Sequence, residues 1–245
     1  MMQIQAVTDI GLVRRQNQDA FGHMQQGDQS IAVVCDGMGG SKGGEVASKL
    51  AVDTFLNTVC ASLRSDMSPE QVREVASYAI SVANSAIRAE SDRNEEYAGM
   101  GTTLVSAITC QDSVVISNVG DSRAYLIKDG EIQRISRDHS LVETLVERGD
   151  ITEDEARVHP KRNFITRALG PEAKIQSDGY IVDAQKGAYI LLCTDGLVST
   201  VTDQEMLCCI RAHENDADAA LAAMLDIAKS NGAPDNVTAL LAKIL

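Results

Sequence analysis

Residues 31–44 read IAVVCDGMGGSKGG. The opening IAVVC is apolar apart from a small thiol, the pattern of a buried strand. The strand stops on a carboxylate, Asp36, and glycines follow at 37, 39, 40, 43 and 44. An acid at the end of a buried strand, beside backbone with few side chains, suits a bound cation or a phosphate. The rest of the chain can be searched for partners that meet it there.

Upstream, Gln3 to Thr8 alternates as an edge strand does, and DIGLVRRQNQDAFG reads as a polar loop carrying Arg14, Arg15 and Asp19. Downstream, Val46, Ala47, Leu50, Ala51, Phe55 and Val59 recur at helical steps and predict a helix over 43–63. Ser68-Pro69-Glu70-Gln71 predicts a second helix, with Ser68 as N-cap, Pro69 in the first turn and Gln71 closing a capping box. Strands are expected over 103–110, 113–119 and 124–127. The Asp129-Gly130 pair predicts a hairpin turn into 132–135. Successive hairpins argue against a doubly wound parallel sheet.

Residues 138–157 turn polar and intermittently helical, as a lid over a site would. A short strand at 181–182 and a buried strand at 188–193 follow, the latter running into Thr194-Asp195-Gly196. Thr202 to Glu205 is a further capping box, 216–230 an Ala-rich helix, and Asp235-Asn236 leads into a last strand at 237–244.

Four acids therefore sit at strand ends: Asp36, Asp121, Asp195 and Asp235. Any single Asp-Gly pair reads as an ordinary turn. Four on long apolar strands imply crowded carboxylates, which either raise each other's pKa or take up a divalent cation. The candidate ligands are all hard oxygens, including the unshielded carbonyl of Gly37, and this favours Mg²⁺ or Mn²⁺ over Zn²⁺. Two such ions can activate a shared water and clamp a displacement at phosphorus, and Arg14 offers a planar, permanently charged fork for phosphate oxygens. GMGGSKGG lacks the Lys-Ser/Thr order of a Walker A loop, and no GxSxG elbow is present.

Composition agrees with a soluble globular protein: 245 residues, 44% hydrophobic and 23% charged. A net charge of −13 argues against nucleic acid and anionic membranes as partners. Six cysteines in no zinc-like spacing read as small hydrophobes in a reducing compartment. The N-terminus has neither the basic nor the apolar region of a signal peptide, so a cytoplasmic location is expected. No coiled-coil pattern is visible, and a monomer is expected.

Eight motifs in order resemble the PPM-type, protein phosphatase 2C-like, metal-dependent serine/threonine protein phosphatases of bacteria. They are GLVRRQNQDA (11–20), VVCDGMGG (33–40), GMGTTL (99–104), NVGDSRAYL (118–126), DHSLVETLVERGDIT (138–152), HPKRNFITRALG (159–170), LLCTDGL (191–197) and PDNVT (234–238). The resemblance implies an α+β fold over 1–245: a central sandwich of two antiparallel sheets flanked by pairs of helices, four layers αββα, with a flap subdomain at about 138–170. It implies hydrolysis of phosphoserine and phosphothreonine monoesters in proteins. A metal-bridged water would attack phosphorus in line, with no phospho-enzyme intermediate. Two Mn²⁺ or Mg²⁺ ions are implied at Asp36, the Gly37 carbonyl, Asp195 and Asp235, with a weaker third held by Asp121 and Asp195. Arg14 matches the phosphate-binding arginine and Asp19 the acid that hydrogen-bonds metal-bound water. Phosphoproteins, with a serine/threonine kinase and its targets, are the implied partners.

Two positions depart from the animal members of that family: Gln18 stands where they carry a metal-binding Glu, and Met38 where they carry a His proposed as general acid. His139 and His159 read better as structural residues of the flap than as substitutes. Two other functions compete: a pseudophosphatase that binds without catalysis, and a sibling phosphatase acting on a stress-response or sporulation regulator. The full set of Asp36, Asp195 and Asp235 opposes the first, and the lack of room for a sensory domain opposes the second.

Overall fold

The burial of strand β3 (Gln29–Met38) fixes the layering. Ile31, Val33 and Cys35 point into one core, while Ala32 and Val34 point into another. A strand buried on both faces loses the polar alternation of a half-exposed strand, hence the unbroken IAVVC. The same holds for β10 (Tyr189–Cys193) and β11 (Val237–Ile244), whose residues divide between the inter-sheet core and a third core under helices. Three cores separate four layers, two sheets inside and helices outside, as an αββα sandwich requires.

The structure is a computed structural model that describes every residue except Ala184, and every side chain except those of Ser41, Arg157 and Ala184. One sheet contains, in spatial order, β1 (Met2–Asp9), β11, β10, β7 (Arg123–Lys128) and β8 (Glu131–Arg134). The other runs β2 (Asp19–Gln26), β3, β5 (Leu104–Cys110), β6 (Ser113–Val119) and β9 (Asp178–Asp183), with the short β4 (Gly101–Thr102) pairing β3. Every recorded ladder is antiparallel.

Helices α1 (Gly40–Ser62) and α2 (Pro69–Arg93) cover the second sheet through Phe55, Val59, Ile80 and Ile87. Helix α2 starts on the expected capping box: Ser68 accepts from the Gln71 N–H, and the Gln71 side chain accepts from the Ser68 N–H. Such a cap contributes about 1 kcal/mol. Helices α6 (Asp203–Ala212) and α7 (Ala217–Ser230) cover the first sheet through Met206, Ile210, Leu221 and Met224. Between β8 and β9 the chain leaves the sandwich for α3 (Leu141–Glu147) and α4 (Glu153–Val158). A four-residue helix, α5 (Asp195–Val198), follows β10 directly.

Two sequence expectations are corrected. The loop expected over 9–22 ends at Asp19, where strand β2 begins at the edge of its sheet. Its outer half is exposed and polar, so it carries no alternating signal. Helix α1 begins three residues early, among glycines that intrinsic propensity would leave in a loop. They are tolerated because the helix start lies flat on the end of β3: a Cβ on Gly37 would stand 2.0 Å from the Gly44 carbonyl oxygen.

Candidate active site

Antiparallel pairing brings the strand-end acids to one end of the sandwich. Asp36 near the end of β3 faces Asp19 at the start of β2 in register. Asp195 follows the end of β10, and Asp235 precedes the start of its neighbour β11. Asp121 lies in the turn by which β6 of one sheet passes to β7 of the other. Gly196 lets the last two strands close up, since a Cβ there would stand 1.9 Å from the Asn236 carbonyl oxygen.

The electrostatics record this crowding. Burial, then the neighbouring charges of Asp19, Asp195, Asp121 and Asp235, pushes the Asp36 carboxyl well above its ordinary range. Burial also raises Asp121 strongly, with Asp195 and Asp138 adding to it. Asp195 is raised by burial and by Asp235, against a hydrogen bond with Asp36 that lowers it. Burial pushes the Asp19 carboxyl up to about 7, against a hydrogen bond from Thr194 Oγ1 at 2.9 Å. Three buried carboxylate oxygens, one each on Asp19, Asp121 and Asp195, have no hydrogen-bond partner. An orphaned buried carboxylate oxygen is costly unless protonated or paired with a cation.

Among the described residues, no three acid, His or Cys side chains already stand as a closed metal cage. Asp235 Oδ2 instead accepts from Arg14 Nη2 at 2.5 Å. The donor set still fits a hard divalent cation: clustered carboxylates, orphaned oxygens, and no sulfur or imidazole among the acids.

Arg14 is half exposed at the mouth of this cluster, with its own charge favoured first by Asp235 and then by Asp36 and Asp195. Its loop is held by a residue that sequence reasoning passed over. Asn236 is buried; its amide donates to the Ile10 and Gln16 carbonyls at 2.9 Å each, and its oxygen accepts from the Gln18 N–H at 2.8 Å. Thr103 is a second such residue, its Oγ1 accepting from the Asp36 N–H at 2.8 Å and bonding Ser122 Oγ at 2.7 Å. The available signal was the pair of hydroxyl residues Thr102-Thr103 at the head of the strand 104–110. Gln18 does not point at an acid. Its amide donates to the Gly40 carbonyl at 3.1 Å, latching the glycine loop, which a Glu could not do. A cleft of about 770 Å³ leads away from Asp121 and Asp195, between α3 and α4 on one side and the α5–α6 segment on the other.

The Protein phosphatase 2C family profile matches residues 14–245. The chain belongs to that family. It is a serine/threonine phosphatase of the bacterial PPM type, and its sandwich is the fold of that type. It is 37% identical over 235 residues to the serine/threonine phosphatase stp of Listeria monocytogenes, covering 96% of this chain and 92% of that one. Among solved structures, serine/threonine phosphatase Stp1 from Staphylococcus aureus is similar at a TM-score of 0.91 and 38% identity, over 100% of this chain and 96% of that one. The catalytic domain of the phosphatase PstP, crystallised with two manganese ions, is similar at a TM-score of 0.84 and 32% identity, over 99% and 97%.

Proposed function

We propose that this phosphatase hydrolyses phosphoserine and phosphothreonine monoesters in proteins, with two Mn²⁺ or Mg²⁺ ions held by Asp36, the Gly37 carbonyl, Asp195 and Asp235. The observation that carries the reading is the set of orphaned, proton-favouring carboxylates at one end of the sandwich. The two manganese ions bound by the related PstP domain support it. Bound there, the cations supply an activated water and neutralise charge on the phosphoryl group.

The chain's own residues divide the remaining work. Arg14, restrained by Asp235 on one side, presents its remaining N–H donors to the phosphate oxygens and orients the group. Asp19, in register with Asp36, is placed to accept a hydrogen bond from the attacking water. Thr194 fixes its orientation. Asp121 provides the acid for a weaker third cation. Met38, half buried and paired with Gly101, has no proton to give, so protonation of the leaving serine or threonine oxygen falls to another group.

The excursion over 138–170 acts as the flap that governs access along the adjoining cleft. Opposition to a serine/threonine kinase follows from the substrate class. A reducing, cytoplasmic setting is supported by the cysteines, all of them unpaired. No helix is long and apolar enough to cross a membrane among the described residues. Substitutions Asp36→Asn and Asp195→Asn test the assignment: each lowers Mn²⁺-dependent turnover of an aryl phosphate by roughly 1,000-fold, the scale of losing a preorganised charge-stabilising group. Near-normal turnover in either variant sinks the ligand assignment.

A further inference from the structure

Gly120, the residue before Asp121, is gripped from the first residues of the flap. Its N–H donates to His139 Nδ1 at 3.0 Å, and its carbonyl accepts from the His139 N–H at 2.9 Å. Asn118 adds a third contact, its amide donating to the Gly120 carbonyl at 3.2 Å and to the Arg137 carbonyl at 2.8 Å. On the other side of Asp121, Arg123 forks onto Asp138, with Nε at 3.1 Å from both oxygens and Nη2 at 2.7 Å from Oδ2. Arg134 completes the set at 2.8 Å from Asp138 Oδ1. Asp121 therefore sits between two residues that are both tied to the root of the flap.

The imidazole is oriented from both sides. His139 is buried; with Nδ1 accepting from Gly120, its Nε2 lies 2.9 Å from Arg167 Nη1 and 3.2 Å from Asp178 Oδ2. Arg167, near the far end of the flap, bonds Asp178 Oδ1 at 2.9 Å. The turn itself is tight: Gly120 has φ +105°, and a Cβ there would stand 2.5 Å from Thr103, the residue that holds the Asp36 amide. A small displacement of Gly120 is thus passed directly to the aim of Asp121.

We infer that His139, together with Asp138, is a positioning residue for Asp121, coupling the flap root to the weaker cation site. The inference rests on the reading of Asp121 as a ligand of that site. It is distinct from the plain structural role of a buried histidine, because it predicts an effect on one class of bound cation only.

Mn²⁺ binding to the metal-free full chain, followed by the electron paramagnetic resonance signal of free Mn²⁺, separates tight from weak ions without reference to turnover. Asp121→Asn removes the weak phase and leaves the tight phase. His139→Ala weakens the weak phase about tenfold, the lower end of what lost outer-shell support costs a metal site, and leaves the tight phase. His139→Asn, whose amide oxygen can accept from the Gly120 N–H, restores it. In the double variant His139→Ala/Asp121→Asn, binding matches that of Asp121→Asn alone, since residues acting through one group are not additive. Should His139→Ala fail to fold, Asp138→Asn carries the same expectation. A folded His139→Ala, or that substitute, with an unaltered weak phase overturns the inference, as does equal weakening of both phases. If Asp121→Asn itself leaves the weak phase intact, the reading of Asp121 falls and the inference falls with it.

Discussion

Asp19 and Asp36 face each other across the β2–β3 ladder, a buried acid directly opposite a half-buried one. Like charges in that position destabilise a ladder, and here they are kept at one end of a sandwich that has ample apolar surface elsewhere. The arrangement makes sense where protons or cations share the pair.

The first consequence is a pH dependence of the metal-free protein. The Asp19 carboxyl is held at about 7, above the ordinary carboxylate value, chiefly by burial. A raised carboxyl binds more protons folded than unfolded, so its contribution falls as pH rises. In chelator, the melting temperature therefore declines between about pH 4 and 7 from this group. Saturating Mn²⁺ flattens that decline, because the cation replaces the proton. Melting curves at pH 5, 6, 7 and 8 with and without Mn²⁺ check both limbs; a chelated protein that gains stability across that range contradicts the assignment.

Arg14 is tied to Asp235 at the open edge of the cluster, with half its side chain in solvent. Arg14→Ala raises KM for a phosphopeptide by roughly tenfold, equivalent to about 1.4 kcal/mol of binding, with a smaller change in kcat. An unchanged KM with a lowered kcat places Arg14 in transition-state stabilisation instead.

Gly196 allows the close approach of the β10–α5 turn to the residue that precedes β11. A methyl at that point forces the two strand ends apart. Gly196→Ala costs roughly 1–3 kcal/mol, as overpacking typically does. That lowers the melting temperature by about 2–4 °C per kcal/mol for a chain of this size. Because Asp195 and Asp235 flank the contact, the same variant weakens Mn²⁺ binding; normal affinity at reduced stability separates packing from ligand placement.

Asn236 carries three hydrogen bonds that hold the Arg14 loop against the start of β11. Asn236→Ala leaves the Gln18 amide and two carbonyls without that partner and costs about 1–3 kcal/mol. Its KM rises in the same direction as in Arg14→Ala, and kinetics on the two single variants and the double variant show whether both act through one loop.

The residues that were legible in sequence are those whose environment is set by the chain nearby. Residues 31–35 and 189–193 stood out because burial on both faces leaves an unbroken apolar run, and the ends of these strands, of 113–119 and of the final strand located Asp36, Asp195, Asp121 and Asp235. The Ser68 and Thr202 caps were legible because a cap is a contact within a few residues. β2 was hidden by its edge position, and with it the register that sets Asp19 opposite Asp36. Thr103, Thr194 and Asn236 were also hidden, since their partners lie distant in sequence: Thr194 and Asp19 are 175 residues apart.

The most direct test of the central claim is phosphate release from a phosphothreonine peptide and a phosphotyrosine peptide, measured with Mn²⁺, with Mg²⁺ and with chelator. The account predicts release from the phosphothreonine peptide with either cation, far slower release from the phosphotyrosine peptide, and none above background in chelator, with activity regained on adding Mn²⁺ back. Sustained release in chelator contradicts it.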